Sequence, residues 1–254
     1  MLQALLKKIR RKAPREEYSV PEGSLIYAVG DIHGRADLLR GLHQLIARDA
    51  QDREAQKKII VYLGDYVDRG PYVRETLDLL VENALPGFES RFLMGNHEQL
   101  LLNFLEDPQV LQTWIFLGGQ STLLSYKVRS PGSGFSPERG EEVRQELIRA
   151  IPEKHLEFLN RLEPFYKAGT YLFVHAGIRP SLDLEDQKPE DIYWIRDDFL
   201  SCKADHGLKV VHGHTITEKV QVRLNRVGID TGAYATGVLT CAVFENRGVR
   251  FLST

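Results

Sequence analysis

The sequence predicts an α/β fold built around a buried, largely parallel sheet. Three short apolar runs, each ending at or next to a glycine, alternate with stretches whose apolar residues recur at helical spacing. This alternation is typical of consecutive βαβ units. The runs are Leu25–Val29, Ile59–Leu63 and Arg91–Met94. Polar residues follow each run at its carboxyl end, where open α/β sheets bind their ligands.

The chain after the third run is predicted to form a helical cap rather than more sheet. Residues 99–162 are poor in strand patterns, and two amphipathic stretches flank a loop at Ser130–Pro137. Strand patterns return after this cap insert, and the last of them are separated by tight turns that favour hairpins. These predicted strands are Tyr171–Val174, Leu208–Val211, Val227–Ile229, Val238–Phe244 and Val249–Phe251.

The composition is that of an ordinary globular protein. Of its 254 residues, 43% are hydrophobic and 27% are charged, which supports a core without disulfides. The net charge of -2 argues against a nucleic-acid partner, and the absence of an 18-residue apolar run argues against a transmembrane segment. Cys202 and Cys241 are predicted to be buried free thiols in a reducing compartment, which favours a cytoplasmic location.

Residues 1–23 are predicted to form a basic amphipathic segment ahead of a single domain over residues 24–254. Its apolar residues recur at helical spacing beside a basic face. A short helix packed on the body, or a frayed end, is favoured over weak contact of residues 1–12 with a membrane surface. The charges follow the apolar residues, which is the wrong order for a secretory signal.

Five polar clusters that follow predicted strands contain the residue types that bind metals. Asp, His and Asn supply oxygen and imidazole donors without a thiolate, which favours Mn, Fe or Zn in five- or six-coordinate sites. Flanking glycines allow a tight backbone turn after each strand. Because the strand ends meet at one edge, we expect the donors to converge on a shared metal site. The clusters are Gly30–Arg35, Gly64–Gly70, Gly95–Glu98, His175–Gly177 and His212–Thr215.

The first three clusters resemble the signature of the metal-dependent serine/threonine phosphoprotein phosphatases, which belong to the calcineurin-like metallophosphoesterases. The ending Asp68-Arg69-Gly70 is typical of the protein phosphatases. Met94-Gly95-Asn96-His97-Glu98 and His175-Ala176-Gly177 are most similar to the bacterial and phage members. The resemblance covers roughly Leu25 to Leu252. It implies a four-layer α-β-β-α sandwich of two mixed sheets, with helices outside and the helical cap insert.

The resemblance also implies two metal sites that share one carboxylate. The implied ligands are Asp31 and His33 for the first ion, Asp65 for both ions, and Asn96, His175 and His214 for the second. Two divalent ions about 3.5–4 Å apart clamp a phosphoryl group and activate a bridging water for direct attack, so no phosphoenzyme is expected. Mn²⁺ is the expected metal, with Fe or Zn as alternatives.

The same resemblance implies catalytic side chains beside the metals. His97 would protonate the leaving oxygen, and Asp68 would orient its ring and raise its basicity. Arg69 would clamp the phosphate in a bidentate manner. Arg196 is the candidate for a second clamp, because Trp194-Ile195-Arg196 resembles the Trp-x-Arg of the phage-type enzymes. The next candidates for that second clamp, each just past a cluster, are Arg35 and Arg179.

Several polar residues near the clusters are expected to play no direct part. His212 is interpreted as packing behind the site, because the histidine before threonine is the ligand in the phosphatase pattern. Glu98 is interpreted as hydrogen-bonding support for the site. The three histidines outside the five clusters are expected to be ordinary surface residues. They are His43, His155 and His206.

The predicted activity is metal-dependent hydrolysis of phosphate monoesters, with phosphoserine or phosphothreonine of a phosphoprotein or phosphopeptide as substrate. Symmetrical dinucleoside tetraphosphate hydrolases share the scaffold and are the first alternative. They usually carry alanine where this chain has Asp68, which argues against them. A non-catalytic metal-binding interaction module is the second alternative. It would require a missing ligand, and none is missing from the sequence.

Overall fold

Two five-stranded mixed sheets form the centre of the molecule. The computed structural model describes residues 18–82, 85–132 and 136–254. The strands of the first sheet are β1 (Ser24–Val29), β2 (Lys57–Tyr62), β3 (Glu89–Phe92), β9 (Thr240–Glu245) and β10 (Gly248–Ser253). Their order is β10-β9-β1-β2-β3. β1, β2 and β3 are parallel, whereas β9 runs antiparallel to β1 and forms a hairpin with β10.

The second sheet is built from the chain that follows the cap. Its strands are β4 (Phe165–Ala168), β5 (Tyr171–Val174), β6 (Lys209–His212), β7 (Gln221–Val222) and β8 (Arg226–Gly228). Their order is β4-β5-β6-β8-β7. The central strands β5, β6 and β8 are parallel, and the two edge strands are antiparallel to their neighbours. The carboxyl ends of the parallel strands are therefore free to carry functional loops.

The two sheets pack face to face because β1 alternates its side chains between two apolar layers. Ile26 and Ala28 join a buried cluster shared with the second sheet, and Phe244 lies 5.3 Å from Phe173 across that interface. Tyr27 and its odd-numbered neighbours point the other way, into a cluster shared with helices. A strand buried on both faces reads as a continuous apolar run, as this one does.

Helices cover the outer face of each sheet. The first sheet packs on α1 (Ala36–Gln51) and α2 (Val73–Val81), and the outer face of the second sheet packs on α8 (Pro189–Trp194) and α9 (Asp197–Leu200). A further short helix, α10 (Ala233–Thr236), lies between β8 and β9. This arrangement confirms the predicted α-β-β-α sandwich of two mixed sheets.

The chain between β3 and β4 is helical throughout its ordered elements. These elements are α3 (Asn96–Glu106), a 3₁₀ turn at Pro108–Val110, α4 (Leu111–Trp114), a π-helical segment at Ile115–Gly119, α5 (Gln120–Ser125), α6 (Pro137–Ala150) and α7 (Glu153–Asn160). Buried residues such as Phe104, Trp114 and Leu147 share the core of the first sheet's outer face. The cap therefore packs on the sandwich, and the assignment of residues 24–254 to one domain stays a prediction.

Among the described residues, two strands were not predicted, and β2, β3 and β9 begin two residues away from the start of their predicted runs. β3 lies two residues earlier than the predicted run. β4 is an edge strand whose residues are mostly half-buried or exposed, and β7 has only two residues. Neither has the continuous apolar pattern that identifies a buried strand, because an edge strand covers less apolar surface than a central one.

The prediction of surface positions for His43 and His155 is wrong. Both side chains are buried, at 6% and 0% exposure. His43 lies on the stripe of α1 that faces the core, and its Nε2 pairs with the Tyr62 hydroxyl at 2.8 Å. His206 is half-buried, and its Nε2 lies 3.2 Å from the Asn225 side-chain amide. A buried histidine is tolerated when its polar atoms find partners, and the sequence pattern does not reveal those partners.

Cys241 is a buried free thiol as predicted, whereas Cys202 is a half-buried one. Among the helices of the described residues, none combines the length and apolar character needed to cross a bilayer. Of the predicted basic amphipathic segment of residues 1–23, residues 1–17 lie outside the described residues.

His155 connects the cap to α2 through two hydrogen bonds. The Tyr126 hydroxyl lies 2.7 Å from Nδ1, and Nε2 lies 3.1 Å from Asp78 Oδ1. Burial lowers the pKa of His155, which favours the neutral ring. Because a carboxylate only accepts, the neutral ring donates from Nε2 to Asp78 and accepts at Nδ1 from the Tyr126 hydroxyl.

We expect His155→Ala to lower the free energy of unfolding by about 2–3 kcal/mol, because it leaves the Tyr126 hydroxyl without this hydrogen-bond partner and creates a buried cavity. Urea denaturation followed by circular dichroism measures this loss. Glu157→Ala, at an exposed position of the same helix, is the matched control and should change stability by less than about 0.5 kcal/mol. Equal effects of the two substitutions would contradict the bridging role.

Candidate metal centre

Five strands end at the same rim of the sandwich, and the predicted metal ligands meet there. The turns after β1, β2, β5 and β6 and the first turn of α3 after β3 each supply at least one of them. All six side chains are buried at 6% exposure or less. They are Asp31, His33, Asp65, Asn96, His175 and His214. The rim is therefore a polar cluster enclosed by protein rather than a patch of surface residues.

The backbone at the rim is bent in ways that ordinary residues rarely adopt. His33, Asp65 and His214 have φ values of 45°, 53° and 61°, in the left-handed region. Such conformations cost free energy and concentrate at functional sites. Two glycines allow close approach to carboxylates, because a Cβ at Gly213 would overlap Asp31 Oδ1 and a Cβ at Gly95 would overlap Asp65 Oδ1.

One half of the cluster is formed by lone pairs that point at one another. His175 Nδ1 donates to the Leu63 carbonyl at 2.8 Å, so the lone pair of the neutral ring is on Nε2. That Nε2 lies 2.9 Å from Asn96 Oδ1 and 3.4 Å from Asp65 Oδ1. His214 Nδ1 also lies 2.9 Å from Asn96 Oδ1. His175 Nε2 and the oxygens of Asn96 and Asp65 are all acceptors, and acceptor atoms this close are stabilised by a cation among them. The neutral His214 ring donates to Asn96 from Nδ1 or presents a lone pair there, according to its tautomer.

The other half of the cluster uses the second oxygen of the same aspartate. His33 Nδ1 donates to the Val67 carbonyl at 2.8 Å, and its Nε2 then faces Asp65 Oδ2 at 3.4 Å. Asp31 accepts a hydrogen bond from the backbone N–H of His214 at 2.9 Å, which fixes its carboxylate beside the other half. Asp65 thus faces His175 with one oxygen and His33 with the other, which is the arrangement of a bridging carboxylate.

The electrostatics of the cluster suit divalent cations. Burial lowers the pKa of His33 to about 3 and that of His214 to about 2, so both rings are neutral and can coordinate. Burial, together with the charges of Asp230 and Asp65, raises the pKa of Asp31 well above its ordinary value. Among the described residues, His214 Nε2 is buried and has no hydrogen-bond partner. Imidazole and carboxylate donors of this kind fit Mn, Fe or Zn.

A histidine–aspartate pair stands next to this cluster. His97 Nδ1 lies 2.7 Å from Asp68 Oδ2, and both side chains are buried. Asp68 also accepts hydrogen bonds from the Trp114 indole N–H at 3.0 Å and the Thr122 hydroxyl at 2.6 Å. Burial acts to lower the pKa of His97, but the carboxylates of Asp65 and Asp68 outweigh it, so the pKa is raised.

His97 also lies close enough to the cluster to be considered as a metal ligand. His33, Asp65 and His97 offer ligand atoms within 4.8 Å of one another, as do Asp65, His175 and His214. However, Arg69 Nη2 lies 3.1 Å from His97 Nε2. A cation at the same nitrogen would be repelled by that guanidinium. This repulsion argues against His97 as a ligand, and Asp31 is in neither of the two groups.

Glu98 organises the turn that carries Asp65. Its fully buried carboxylate accepts hydrogen bonds from the backbone N–H groups of Asp65, Tyr66, Val67 and Gly95, at 2.7–3.1 Å. Glu98 was predicted to support the site by hydrogen bonding, and these four hydrogen bonds are contacts of that kind. His212, in contrast, is buried against Phe199 and belongs to neither group of metal-binding atoms.

The two arginines differ in how firmly they are held. The Arg69 backbone N–H donates to the Gly118 carbonyl at 3.1 Å, and its Nε donates to the Leu117 carbonyl at 3.4 Å. Arg196 is exposed, and its Nη1 lies 3.4 Å from the Thr215 hydroxyl, next to His214. Both guanidinium groups therefore border the rim.

Arg35 and Arg179, the next candidates for the second phosphate clamp, form ion pairs with other residues. Arg179 pairs with Asp191 and Asp198 on the outer helices of the second sheet. Arg35 pairs with Asp37 and donates to the Ala233 carbonyl at 2.9 Å. The structure therefore favours Arg196 over both as the partner of Arg69.

Several residues of the site were missed by sequence reasoning. Trp114 and Thr122 reach Asp68 from the cap, and neither was predicted to contact the site. Asp230 lies close to Asp31, and its pKa is raised to about 6, chiefly by burial. Tyr234 contacts both His33 and Arg69. The segment Asp230–Gly232 follows the predicted strand Val227–Ile229 and begins with an aspartate, which is the local signal that could have identified Asp230.

The fold and the rim define a metal-dependent phosphoesterase. The chain matches the calcineurin-like phosphoesterase family over residues 24–237 and belongs to that family. Serine/threonine-protein phosphatase 2 of Escherichia coli is 38% identical over 224 residues, covering 85% of this chain and 90% of that protein. An asymmetrical bis(5'-nucleosyl)-tetraphosphatase of Bacillus velezensis is 24% identical over 233 residues, covering 84% and 86%.

A solved structure supports the same fold. A cold-active protein tyrosine phosphatase matches this chain with a TM-score of 0.56 at 18% identity, covering 92% of this chain and 78% of that one. At this level of identity the likeness concerns the fold alone.

We expect the protein to bind two divalent ions per chain and to lose thermal stability on chelation, because the rim would then hold mutually repelling acceptors. Metal analysis and thermal unfolding with EDTA or added Mn²⁺ test this. Asn96→Ala should bind one ion fewer than the wild type, whereas Asn160→Ala, exposed on α7, should bind both. A chelated, metal-free protein with full activity would contradict the proposed centre.

Proposed function

We propose that the protein is a metal-dependent phosphomonoester hydrolase that removes phosphate from phosphoserine and phosphothreonine in proteins. The observation that carries the proposal is the buried His97–Asp68 pair, which stands beside a cluster of metal-binding atoms that share Asp65. The likeness to the E. coli protein phosphatase supports the substrate class. A buried and a half-buried free thiol are consistent with action in the cytoplasm.

The residues proposed to hold the metals fall into two sets around Asp65. Asp31 and His33 complete the first set, and Asn96, His175 and His214 complete the second. When bound, two divalent ions, with Mn²⁺ as the expected metal, would neutralise the phosphoryl oxygens and supply an activated water as nucleophile. The hydrogen bonds from His33 and His175 to backbone carbonyls support this assignment, because they direct each Nε2 inward.

His97 is proposed to be the general acid. Asp68 accepts from Nδ1 and stabilises the charged ring, and the raised pKa of His97 keeps the ring protonated over a wider pH range. In the structure Nε2 faces Arg69 Nη2. Because a guanidinium only donates, this contact belongs to the neutral ring, which accepts at Nε2. A substrate phosphate that draws Arg69 onto its own oxygens would free Nε2 to take up a proton, which it would then donate to the leaving oxygen. Binding and protonation would thus be linked through one contact.

Arg69 and Arg196 are proposed to grip the phosphate from two sides. Arg69 is fixed by the π-helical segment of the cap. Arg196 follows Trp194, whose indole N–H donates to Gln99 Oε1 at 2.7 Å, so its backbone is tied to the helix that carries His97. Two guanidinium groups offer enough donors to bind the non-bridging phosphate oxygens in the substrate and in the transition state.

A dinucleoside tetraphosphate hydrolase is the alternative function. The B. velezensis relative bears such a name, which favours keeping this candidate. Asp68 argues against the symmetrical enzymes, and its three side-chain partners, His97, Trp114 and Thr122, give it a structural place in this chain. A non-catalytic metal-binding module is the second alternative. It would require a missing metal ligand, and none is missing from the sequence.

We expect a phosphothreonine peptide to be hydrolysed with kcat/KM at least tenfold above that of diadenosine tetraphosphate. The physical reason is that the proposed general acid, His97, would serve an alkoxide leaving group, and the two proposed arginine clamps would serve one phosphoryl group rather than a polyphosphate chain. Phosphate release with and without Mn²⁺ measures both reactions under the same conditions. A preference for the dinucleotide would replace the proposal with the alternative, and no hydrolysis of either would favour the binding module.

We expect His97→Asn to lower kcat by about 10²–10⁴ on an alkyl phosphate such as a phosphoserine peptide, because the leaving alkoxide then receives no proton. The loss should be much smaller on 4-nitrophenyl phosphate, whose leaving group needs little protonation. Metal content should stay at the wild-type value. Equal losses on both substrates would indicate that His97 holds a metal or the structure instead.

A further inference from the structure

Tyr234 lies at the rim and has no role in the proposals above. It belongs to α10, between β8 and β9, and its side chain is half-buried. Its ring packs edge-on against His33, with centroids 5.4 Å apart and an interplanar angle of 85°. The Arg69 Cζ lies 4.8 Å from the centroid of the same ring. Tyr234 therefore contacts a candidate metal ligand and a candidate phosphate clamp at once.

The contact with Tyr234 differs in kind from the other contacts of Arg69. The Leu117 carbonyl and His97 Nε2 each occupy an N–H donor of the guanidinium. An aromatic ring attracts the cation through its π electrons and occupies no donor. It can thus restrain the guanidinium while its N–H groups remain available for phosphate oxygens. Restraint of this kind lowers the entropy lost when the side chain binds its ligand.

The position of Tyr234 is itself fixed by the surrounding loop. Gly232 and Gly237, with φ of 70° and 75°, bound α10 at either end. The Gly232 N–H donates to Asp230 Oδ1 at 2.9 Å. Arg35 Nη1 donates to the carbonyl of Ala233, directly before Tyr234, at 2.9 Å. The short helix is therefore fastened to the turn after β1, which fixes the position of the Tyr234 backbone.

We propose that Tyr234 is a positioning residue that holds Arg69 in the orientation in which its donors face the substrate phosphate. The inference rests on the proposed function in one respect, namely that Arg69 binds phosphate. The aromatic ring carries the effect and the hydroxyl does not, since the structure gives the ring contacts with both His33 and Arg69. Tyr234 does not touch the reacting atoms and takes no part in proton transfer.

The first test measures phosphate affinity with 4-nitrophenyl phosphate as substrate and inorganic phosphate as competitive inhibitor, in the Mn²⁺-loaded protein. Loss of a cation–π contact of about 0.5–2 kcal/mol corresponds to a change of about 2–30-fold. Tyr234→Ala and Tyr234→Leu should raise KM and the phosphate inhibition constant by that factor, with a smaller fall in kcat. Tyr234→Phe should stay within twofold of the wild type. An equal loss in the Phe variant would overturn the assignment to the ring.

The second test reports on Arg69 directly and needs no activity. Phenylglyoxal modifies accessible arginines, and mass spectrometry of peptides gives the rate at Arg69. Release from the ring should speed this modification several-fold in Tyr234→Ala and leave it unchanged in Tyr234→Phe. Tyr166→Ala is the matched control, because Tyr166 on β4 makes a similar contact with Arg91 at 5.2 Å. It should change neither Arg69 labelling nor KM.

Two further results separate the possible failures. In an Arg69→Ala background, Tyr234→Ala should cause no further change in phosphate affinity, since it acts through the missing guanidinium. If Tyr234→Ala lowers metal content and kcat but leaves Arg69 labelling and phosphate inhibition unchanged, the ring supports His33 and the proposal is wrong. If the wild type hydrolyses no phosphate ester, the proposed function fails, and the labelling experiment still decides whether Tyr234 positions Arg69.

Discussion

The carboxylate of Glu98 fixes the geometry on which the rim depends. It accepts four backbone N–H groups, three from the turn after β2 and one from Gly95 at the start of α3. A buried carboxylate is expensive unless it is hydrogen-bonded, and here the hydrogen bonds come from two separate strand ends. These hydrogen bonds fix the position of the two turns relative to each other. Asp65, Asp68 and Arg69 on one turn thereby meet Asn96 and His97 on the other.

The helical cap forms the side of the site that lies opposite the two sheets. Trp114 and Thr122 satisfy the Asp68 carboxylate, and the Gly118 carbonyl receives the Arg69 backbone N–H. Gly118 is required there, because a Cβ would come within 2.7 Å of Arg69 Cγ. The cap therefore supplies hydrogen bonds to the site as well as apolar packing. A pair such as His97–Asp68, shielded from water on this side, interacts more strongly than it would at the surface.

The convergence of the five clusters could be predicted from sequence because its cause is local. Each cluster follows a buried strand, and parallel strands bring their carboxyl ends to one edge. The contributions of Trp114, Thr122 and Tyr234 could not be predicted in this way. Their roles depend on how distant helices pack, and a tryptophan on an amphipathic helix carries the same pattern whether or not its indole N–H reaches a carboxylate.

The same distinction explains the errors about two histidines and the difference between the candidate arginines. His43 and His155 are polar residues on helices, and only the opposing Tyr62, Tyr126 and Asp78 make their burial possible. Arg179 and Arg196 both follow strands of the second sheet or the helices beside them. What separates them is the pair of aspartates that captures Arg179, and that capture is a property of the folded outer face.

The contact between Asp31 and His214 joins residues 183 positions apart in the chain. Loop closure over that distance is entropically costly, so contacts of this kind form late in folding. Two of the six candidate ligands, His175 and His214, are synthesised only after the whole cap has been made. A metal ion can therefore bind tightly only to a nearly finished molecule. Its binding free energy would therefore slow unfolding more than it would speed folding. The centre would keep the two sheets together once they have formed, without directing their assembly.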